Sequence, residues 1–235
     1  MRTVNGGWNR GLSHARPCNE VAGRAFLFCT IKKGMNDMPV QVTLPNGAVQ
    51  SYDSGVTLEE IAGSISNSLK KNAVAGKVNG KLVDLYHALH EDASVEIVTL
   101  DTADGLEVYR HSTAHLMAQA LKRLYGATRV KLGIGPVIED GFYYDIDLDV
   151  SLTPDDLAAI EKEMENIVKE DLPIRRKEVS REEALRIYTE LGDPLKLELI
   201  RDLPEGVTIS IYEQGEFFDL CRGPHLPSTG RIKAF

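Results

Sequence analysis

From Pro39 onward the hydrophobic positions fall into regular periods. Val40, Val42 and Leu44 alternate with polar residues, as a half-buried strand requires. Pro45-Asn46-Gly47 turns the chain back, and Val49 to Tyr52 completes a hairpin. Thr57-Leu58-Glu59-Glu60 reads as a capping box, predicting a helix with Leu58, Ile61, Ile65 and Leu69 inward and Asn72 at its end. Val74 to Val78, Asn79-Gly80 and Lys81 to Leu85 spell a second hairpin. Ser94 to Leu100 supplies a last strand with Val95, Ile97 and Thr99 on one face. The sum is a ββαββ unit, a small sheet with one helix across it.

After a polar linker at Asp101 to Gly105, the period changes to helical from about Val108 to Tyr125. Ala114, Met117, Leu121 and Leu124 form the apolar stripe, with His111 and His115 at its rim. Glycines and Pro136 flank an aromatic strand from Val137 to Ile146; Gly133-x-Gly135, with no helix following, is a weak phosphate-loop signal. Thr153-Pro154-Asp155-Asp156 opens a helix with Leu157, Ile160, Met164, Ile167 and Val168 inward, ended by Pro173. Ser180 to Glu183 reads as another capping box, with a helix to Gly192. Asp193-Pro194 then turns the chain into Leu195 to Ile200. Val207 to Tyr212 and Phe217 to Leu220 form a hairpin that delivers Cys221. The class is α+β.

Residues 1–37 break this regularity, being rich in Gly, Arg and Asn with few acids. They are expected to be a disordered or wrongly included leader, with Met35 or Met38 beginning the folded part, or else an organelle transit peptide. Cys18, Cys29 and His14 fall here and are read as non-functional. The chain has 235 residues, 43% of them hydrophobic, which suffices for a substantial core. Three cysteines form no disulfide framework and suit a reducing compartment. No apolar run approaches the roughly 18 residues of a membrane span. The formal charge of −8 excludes a uniformly basic nucleic-acid coat but not a local basic patch. Arg175-Arg176-Lys177 is such a cluster, read as solvated surface. His87 and His90 are likewise read as surface residues.

The chemistry concentrates in two short pieces. In Arg110-His111-Ser112-Thr113-Ala114-His115 the imidazoles lie one helical turn apart; in Asp219-Leu220-Cys221-Arg222-Gly223-Pro224-His225 the thiol and imidazole lie on a bend. Three readings of this set stay open. It is an acceptable tetrahedral zinc set, a cysteine nucleophile with a histidine base, or a metal-free hydrolytic pocket in which imidazoles and Asp219 position a water.

Residues Met38 to about Leu100, through Leu44-Pro45-Asn46-Gly47 and Val78-Asn79-Gly80-Lys81-Leu82-Val83, resemble the ubiquitin-like β-grasp module called TGS. The remainder, residues 101–235, resembles the editing domain of bacterial-type threonyl-tRNA synthetases, the second additional domain shared with alanyl-tRNA synthetases. The motifs that carry this likeness are His111-Ser112-Thr113-Ala114-His115-Leu116, Ile134-Gly135-Pro136-Val137-Ile138-x-x-Gly141-Phe142-Tyr143-Tyr144-Asp145 and Asp219 to His225. The resemblance implies hydrolysis of serine mistakenly esterified to threonine tRNA. It implies that His111, His115, Lys196, Asp219, Cys221 and His225 line the pocket, with His111 near the terminal ribose and Lys196 near the seryl group or its water. It implies no metal for editing, with zinc at the His/Cys set as the other reading. ATP and magnesium would be needed only in a ligase domain beyond this stretch, so no ligation is expected from the chain alone. The implied partner is the 3′ end of threonine tRNA, with no membrane, a cytoplasmic location, a homodimeric parent and a monomeric fragment. A non-catalytic RNA- or partner-binding module with a structural zinc site is the alternative from another class.

Overall fold

The computed structural model describes residues 38–133 and 135–235. The expected leader, with Cys18, Cys29 and His14, and the motif residue Ile134 lie outside the described residues.

Strand β1 (Val40–Thr43) pairs antiparallel with β2 (Val49–Tyr52), burying Val40 and Val42. After β3 (Val56–Thr57), Thr57 and Glu60 form both halves of the capping box of α1 (Leu58–Ile65). The single helix expected through Leu69 is broken. Ser66 adopts extended backbone (φ −165°) and caps a separate α2 (Asn67–Asn72) by accepting from Leu69 N. The break leaves Ile65 exposed rather than inward. Strands β4 (Ala73–Val78) and β5 (Lys81–Asp84) meet at Asn79 and Gly80, with φ of 51° and 80°. Both being left-handed, they give the hairpin turn whose twist matches the strands. β6 (Ala88–Leu89) pairs with β3, and β7 (Ala93–Thr99) runs parallel to β1 and antiparallel to β4. The resulting sheet has the order β2-β1-β7-β4-β5.

This sheet is covered on both faces. Val40, Val42 and Val95 pack with Leu58, Ile61 and Ala62 of α1. Val74, Ala75 and Val98 instead join the core of the next helix, α3 (Ala103–Tyr125). Val98 is therefore a deeply buried residue of β7, on the face that an alternating pattern assigns to solvent. The expected linker is mostly the first turn of α3, where Thr102 accepts from Gly105 N at 3.1 Å. A Cβ on Gly105 would fall 2.0 Å from the Thr99 carbonyl oxygen, so only glycine lets α3 start against the end of β7. With the sheet on one side and a later helix on another, α3 buries Leu116, Ala118 and Ala120 besides Ala114 and Leu121, while Leu124 is exposed.

The predicted aromatic strand is two short ladders. β8 (Lys131–Leu132) pairs with β11 (Ile146–Asp147), and β9 (Val137–Ile138) with β10 (Gly141–Phe142). Helix α4 (Pro154–Glu170) has a full capping box at Thr153 and Asp156 and ends at Asp171 in the left-handed region. Ile160, Met164 and Ile167 enter the core beside α3; Leu157 is exposed instead. The basic cluster lies on a strand absent from the expectation, β12 (Ile174–Val179), at the edge of a sheet ordered β12-β13-β14. Its charges are surface groups: Arg175 stacks on Tyr86, and Arg176 pairs with Glu178. His87 and His90 are exposed as well. In α5 (Arg181–Glu190), Ser180 accepts from Glu183 N, but the Glu183 carboxylate reaches Lys177 rather than closing a capping box. α6 (Pro194–Asp202) follows, capped by Asp193, then the hairpin of β13 (Ile209–Gln214) and β14 (Phe217–Leu220). The final turn is tied to α4 through Thr229, whose hydroxyl donates to the Ile167 carbonyl and accepts from Leu172 N.

Candidate active site

Helix α3 carries His111 and His115 toward the loop that leaves β14, and that loop returns Cys221 and His225. The ligating atoms of these four residues lie within 4.8 Å of one another. Cys221 Sγ is 3.2 Å from His111 Nε2 and 3.3 Å from His225 Nε2. The His225 ring lies tilted against both other imidazoles, 4.2 Å from each, centroid to centroid. His111 is half-buried, at the rim as expected. His115 is only 4% exposed and lies inside the cluster, because α3 is covered on the side the wheel had left open.

Ser112, between the two histidines, sets the tautomer of His225. Its hydroxyl donates to the Val108 carbonyl one turn back, at 2.8 Å. Its oxygen is then left to accept from Leu226 N at 2.9 Å and from His225 Nδ1 at 3.2 Å. His225 thus carries its proton on Nδ1 and presents the Nε2 lone pair to Cys221. The Pro224 carbonyl accepts from the His111 ring.

Burial makes the cluster electrically neutral. It pushes His115 down to about 3, with His111 adding to the effect, and holds His225 well below the ordinary imidazole value. His111 is lowered too, chiefly by burial, partly offset by the Pro224 carbonyl. The Cys221 thiol is pushed up to about 12 by burial, although Gly223 N donates to it. At neutral pH, with no metal bound, the set is three free imidazoles and a thiol. A thiolate nucleophile needs the opposite shift, which argues against the cysteine-nucleophile reading.

Opposite stands an ionic group. Lys196 Nζ donates to Asp219 Oδ2 at 2.9 Å and to the Gly133 carbonyl at 3.3 Å, with both side chains of the pair buried. Tyr144 donates to the same Oδ2 at 2.9 Å, and Leu220 N donates to Oδ1 at 2.8 Å. Burial first, then the Asp219 charge, holds the Tyr144 phenol well above its usual value. Lys196 is aimed inward because Asp193 caps α6, accepting from Lys196 N at 3.1 Å in its first turn. Asp219 and Lys196 both act electrostatically on His115 and Cys221, so the ionic group and the neutral cluster share one site.

The six residues singled out in the sequence form two groups: His111, His115, Cys221 and His225 in one cluster, and Lys196 paired with Asp219, which lies two residues before Cys221 and within electrostatic reach of His115. Tyr144 and Ser112 were not singled out. Tyr144 stood in a quoted motif and Ser112 between the histidine pair, so a signal existed for each. Gly133 contributes its carbonyl to Lys196 rather than an amide to a phosphate.

The four soft donors could hold a metal. Tetrahedral zinc with bonds of about 2.0–2.3 Å sets its ligand atoms roughly 3.3–3.8 Å apart. The cluster needs only small adjustments to reach that spacing, and the His225 tautomer already presents Nε2.

Two domain families match the chain. The TGS domain covers residues 40–99. The threonyl and alanyl tRNA synthetase second additional domain covers residues 209–235, which include Asp219, Cys221 and His225. The fold is accordingly a β-grasp TGS domain with a second additional domain of this synthetase type. The relatives narrow it further. A threonine–tRNA ligase of Geobacillus sp. (strain WCH70) is 63% identical over 201 residues, 86% of this chain and 31% of the relative. That of Geobacillus kaustophilus (strain HTA426) is 65% identical over 196 residues, 83% of this chain and 30% of the relative. Threonine–tRNA ligase 1 of Bacillus subtilis (strain 168) is 59% identical over 201 residues, with shares of 86% and 31%. The chain corresponds to the N-terminal region of threonine–tRNA ligases and spans about 31% of the length of the first of these relatives.

Proposed function

We propose that this region is the editing hydrolase of a threonyl-tRNA synthetase, cleaving the ester between serine and the 3′ end of threonine tRNA. The observation that carries the reading is the pairing of a neutral His/Cys cluster with a buried Lys196–Asp219 pair in one site. Ester hydrolysis needs a positioned water, a proton acceptor that is free at neutral pH, and a cation where negative charge develops on the carbonyl oxygen. His111 at the rim is a free base set to meet the ribose hydroxyls and to return a proton to the leaving oxygen. Lys196 has one donor beyond those it gives to Asp219 and Gly133, and this one meets the seryl group or the attacking water. Asp219 orients Lys196 through their 2.9 Å ion pair. His115, Cys221 and His225 close the far side, where a thiol and imidazole nitrogens order water without carrying charge.

Such a pocket answers a physical need. Serine and threonine differ by one methyl, and a missing methyl supplies only about 1–3 kcal/mol of discrimination. A second site that crowds out that methyl destroys what a synthetic site lets through. The partner is then threonine tRNA, in a cytoplasmic enzyme whose full-length form is a homodimer. Among the described residues no helix is long and apolar enough to cross a membrane.

A second reading is favoured by the donor set alone: His111, His115, Cys221 and His225 holding zinc. Bound there, zinc would supply a Lewis acid and keep Cys221 as a thiolate.

The test is release of serine and threonine from charged threonine tRNA by the wild type, His111→Ala and Cys221→Ala, with and without chelator. Seryl-selective release, indifferent to chelator and reduced about 100-fold or more in His111→Ala, is the expected outcome. Release abolished by chelator transfers the assignment to zinc. A folded protein that releases nothing overturns the hydrolase reading.

A further inference from the structure

Asp84 stands at the end of β5, in the TGS sheet, where no chemistry is expected. Yet its carboxylate grips the loop that carries His225. Asp84 Oδ1 accepts from His225 N at 3.0 Å, and Oδ2 accepts from the Tyr212 hydroxyl at 2.7 Å. Tyr212 is buried on β13, and its ring lies 4.5 Å from that of His225. The turn between Cys221 and His225 rests directly on the same phenol. A Cβ on Gly223, which has a φ of +68°, would fall 1.8 Å from the Tyr212 oxygen, so only glycine lets the backbone pass there. One carboxylate thus fixes the His225 backbone directly and the His225 ring through Tyr212, while Ser112 fixes Nδ1 from the α3 side.

We propose that Asp84 is a positioning residue for the editing site: the TGS domain, through this carboxylate, holds His225 in register with Cys221 and His111. The proposal rests on the deacylase reading for its consequence and on the hydrogen bonds alone for its geometry. Asp84 touches no substrate and acts through Tyr212 and the Gly223-Pro224-His225 turn. Charge-assisted bonds to a main-chain amide and a buried phenol are the strong kind, and positional errors near 1 Å cost about 100-fold in rate.

The experiment uses the whole chain and single-turnover hydrolysis of seryl-charged threonine tRNA, beside a thermal melt and side-chain 1H–15N spectra of the histidines. Asp84→Ala is expected to lower the rate at saturating substrate by about 10- to 100-fold with KM little changed, and to remove the Nδ1–H signature of His225. Asp84→Asn keeps an oxygen for the His225 amide and should restore the rate to within about fivefold of wild type. Tyr212→Phe should lose a few-fold, and adding it to Asp84→Ala should cost nothing more, because both act on one path. Asp92→Ala removes another TGS carboxylate, one that accepts from Gln41 N rather than from the His225 loop, and should leave the rate unchanged. If Asp84→Ala fails to fold, Asp84→Asn combined with Tyr212→Phe decides: additive losses overturn the proposal and a shared loss supports it. A folded Asp84→Ala with a wild-type rate and an unchanged His225 spectrum also overturns it. A wild type that hydrolyses nothing defeats the deacylase reading, and the His225 spectrum then still decides whether Asp84 positions that ring.

Discussion

The two sides of the candidate site solve the problem of burying polar groups in opposite ways. On one side, Lys196 and Asp219 form an ion pair at 2.9 Å, with Tyr144, Gly133 and Leu220 N as further hydrogen-bond partners. On the other, His111, His115, Cys221 and His225 give up charge altogether and are satisfied largely by one another and by Ser112. Ionic burial fails abruptly when one partner is removed, because an unpaired charge remains in the interior. Neutral burial fails gradually, as protons are forced onto groups that the fold keeps free.

That contrast can be broken experimentally. The largest expected effect is Lys196→Met, which leaves Asp219 buried without its cation and should destabilise by about 3–5 kcal/mol in denaturant titration. Combining it with Asp219→Asn should recover much of the loss; no recovery would mean that the pair is not the source of the cost. Acid comes next. His115 binds its proton near 6.5 when unfolded and near 3 when folded, so its contribution is complete above pH 6.5 and is lost as pH falls toward 3. About 2 kcal/mol should have gone by pH 5 from His115 alone, with His225 adding in the same direction. His115→Asn should flatten the pH dependence of the unfolding free energy between pH 7 and 5, and an unchanged slope would refute the neutral-cluster account. The smallest effect is Ser112→Ala. It strands the Leu226 amide and the His225 Nδ1 proton, for about 1–2 kcal/mol, and should let His225 change tautomer in 15N spectra.

Elements whose signal is local were legible in the sequence. The β1–β2 hairpin, the Asn79-Gly80 turn, the capping box at Thr57 and the helix start at Thr153-Pro154 all depend on a few adjacent residues. So did the two histidine-bearing pieces, since helical spacing and a hairpin exit place their side chains whatever surrounds them. What escaped was set by distant contacts or by competing local chemistry. Ser66 could cap a new helix as readily as continue an old one, and it capped. Strand β12 carries polar residues along most of its length because it lies at a sheet edge, so no alternation announced it. Val98 is buried by a helix that belongs to the next part of the chain. Asp84 meets partners 128 and 141 residues away, a pairing that no window of sequence contains.

The covering of the TGS sheet by α3 has a consequence for how the protein comes apart. Val74, Ala75 and Val98 share a core with Leu116, Leu121 and Ile167, so residues 40–99 do not bury both faces of their own sheet. Cut out alone, that stretch would present an apolar face to water, an invitation to self-association. Left in place, its melting is tied to that of α3 and α4, and the chain should unfold through one cooperative transition across the seam where the sequence changes family. A boundary of descent is here the interior of a folding unit.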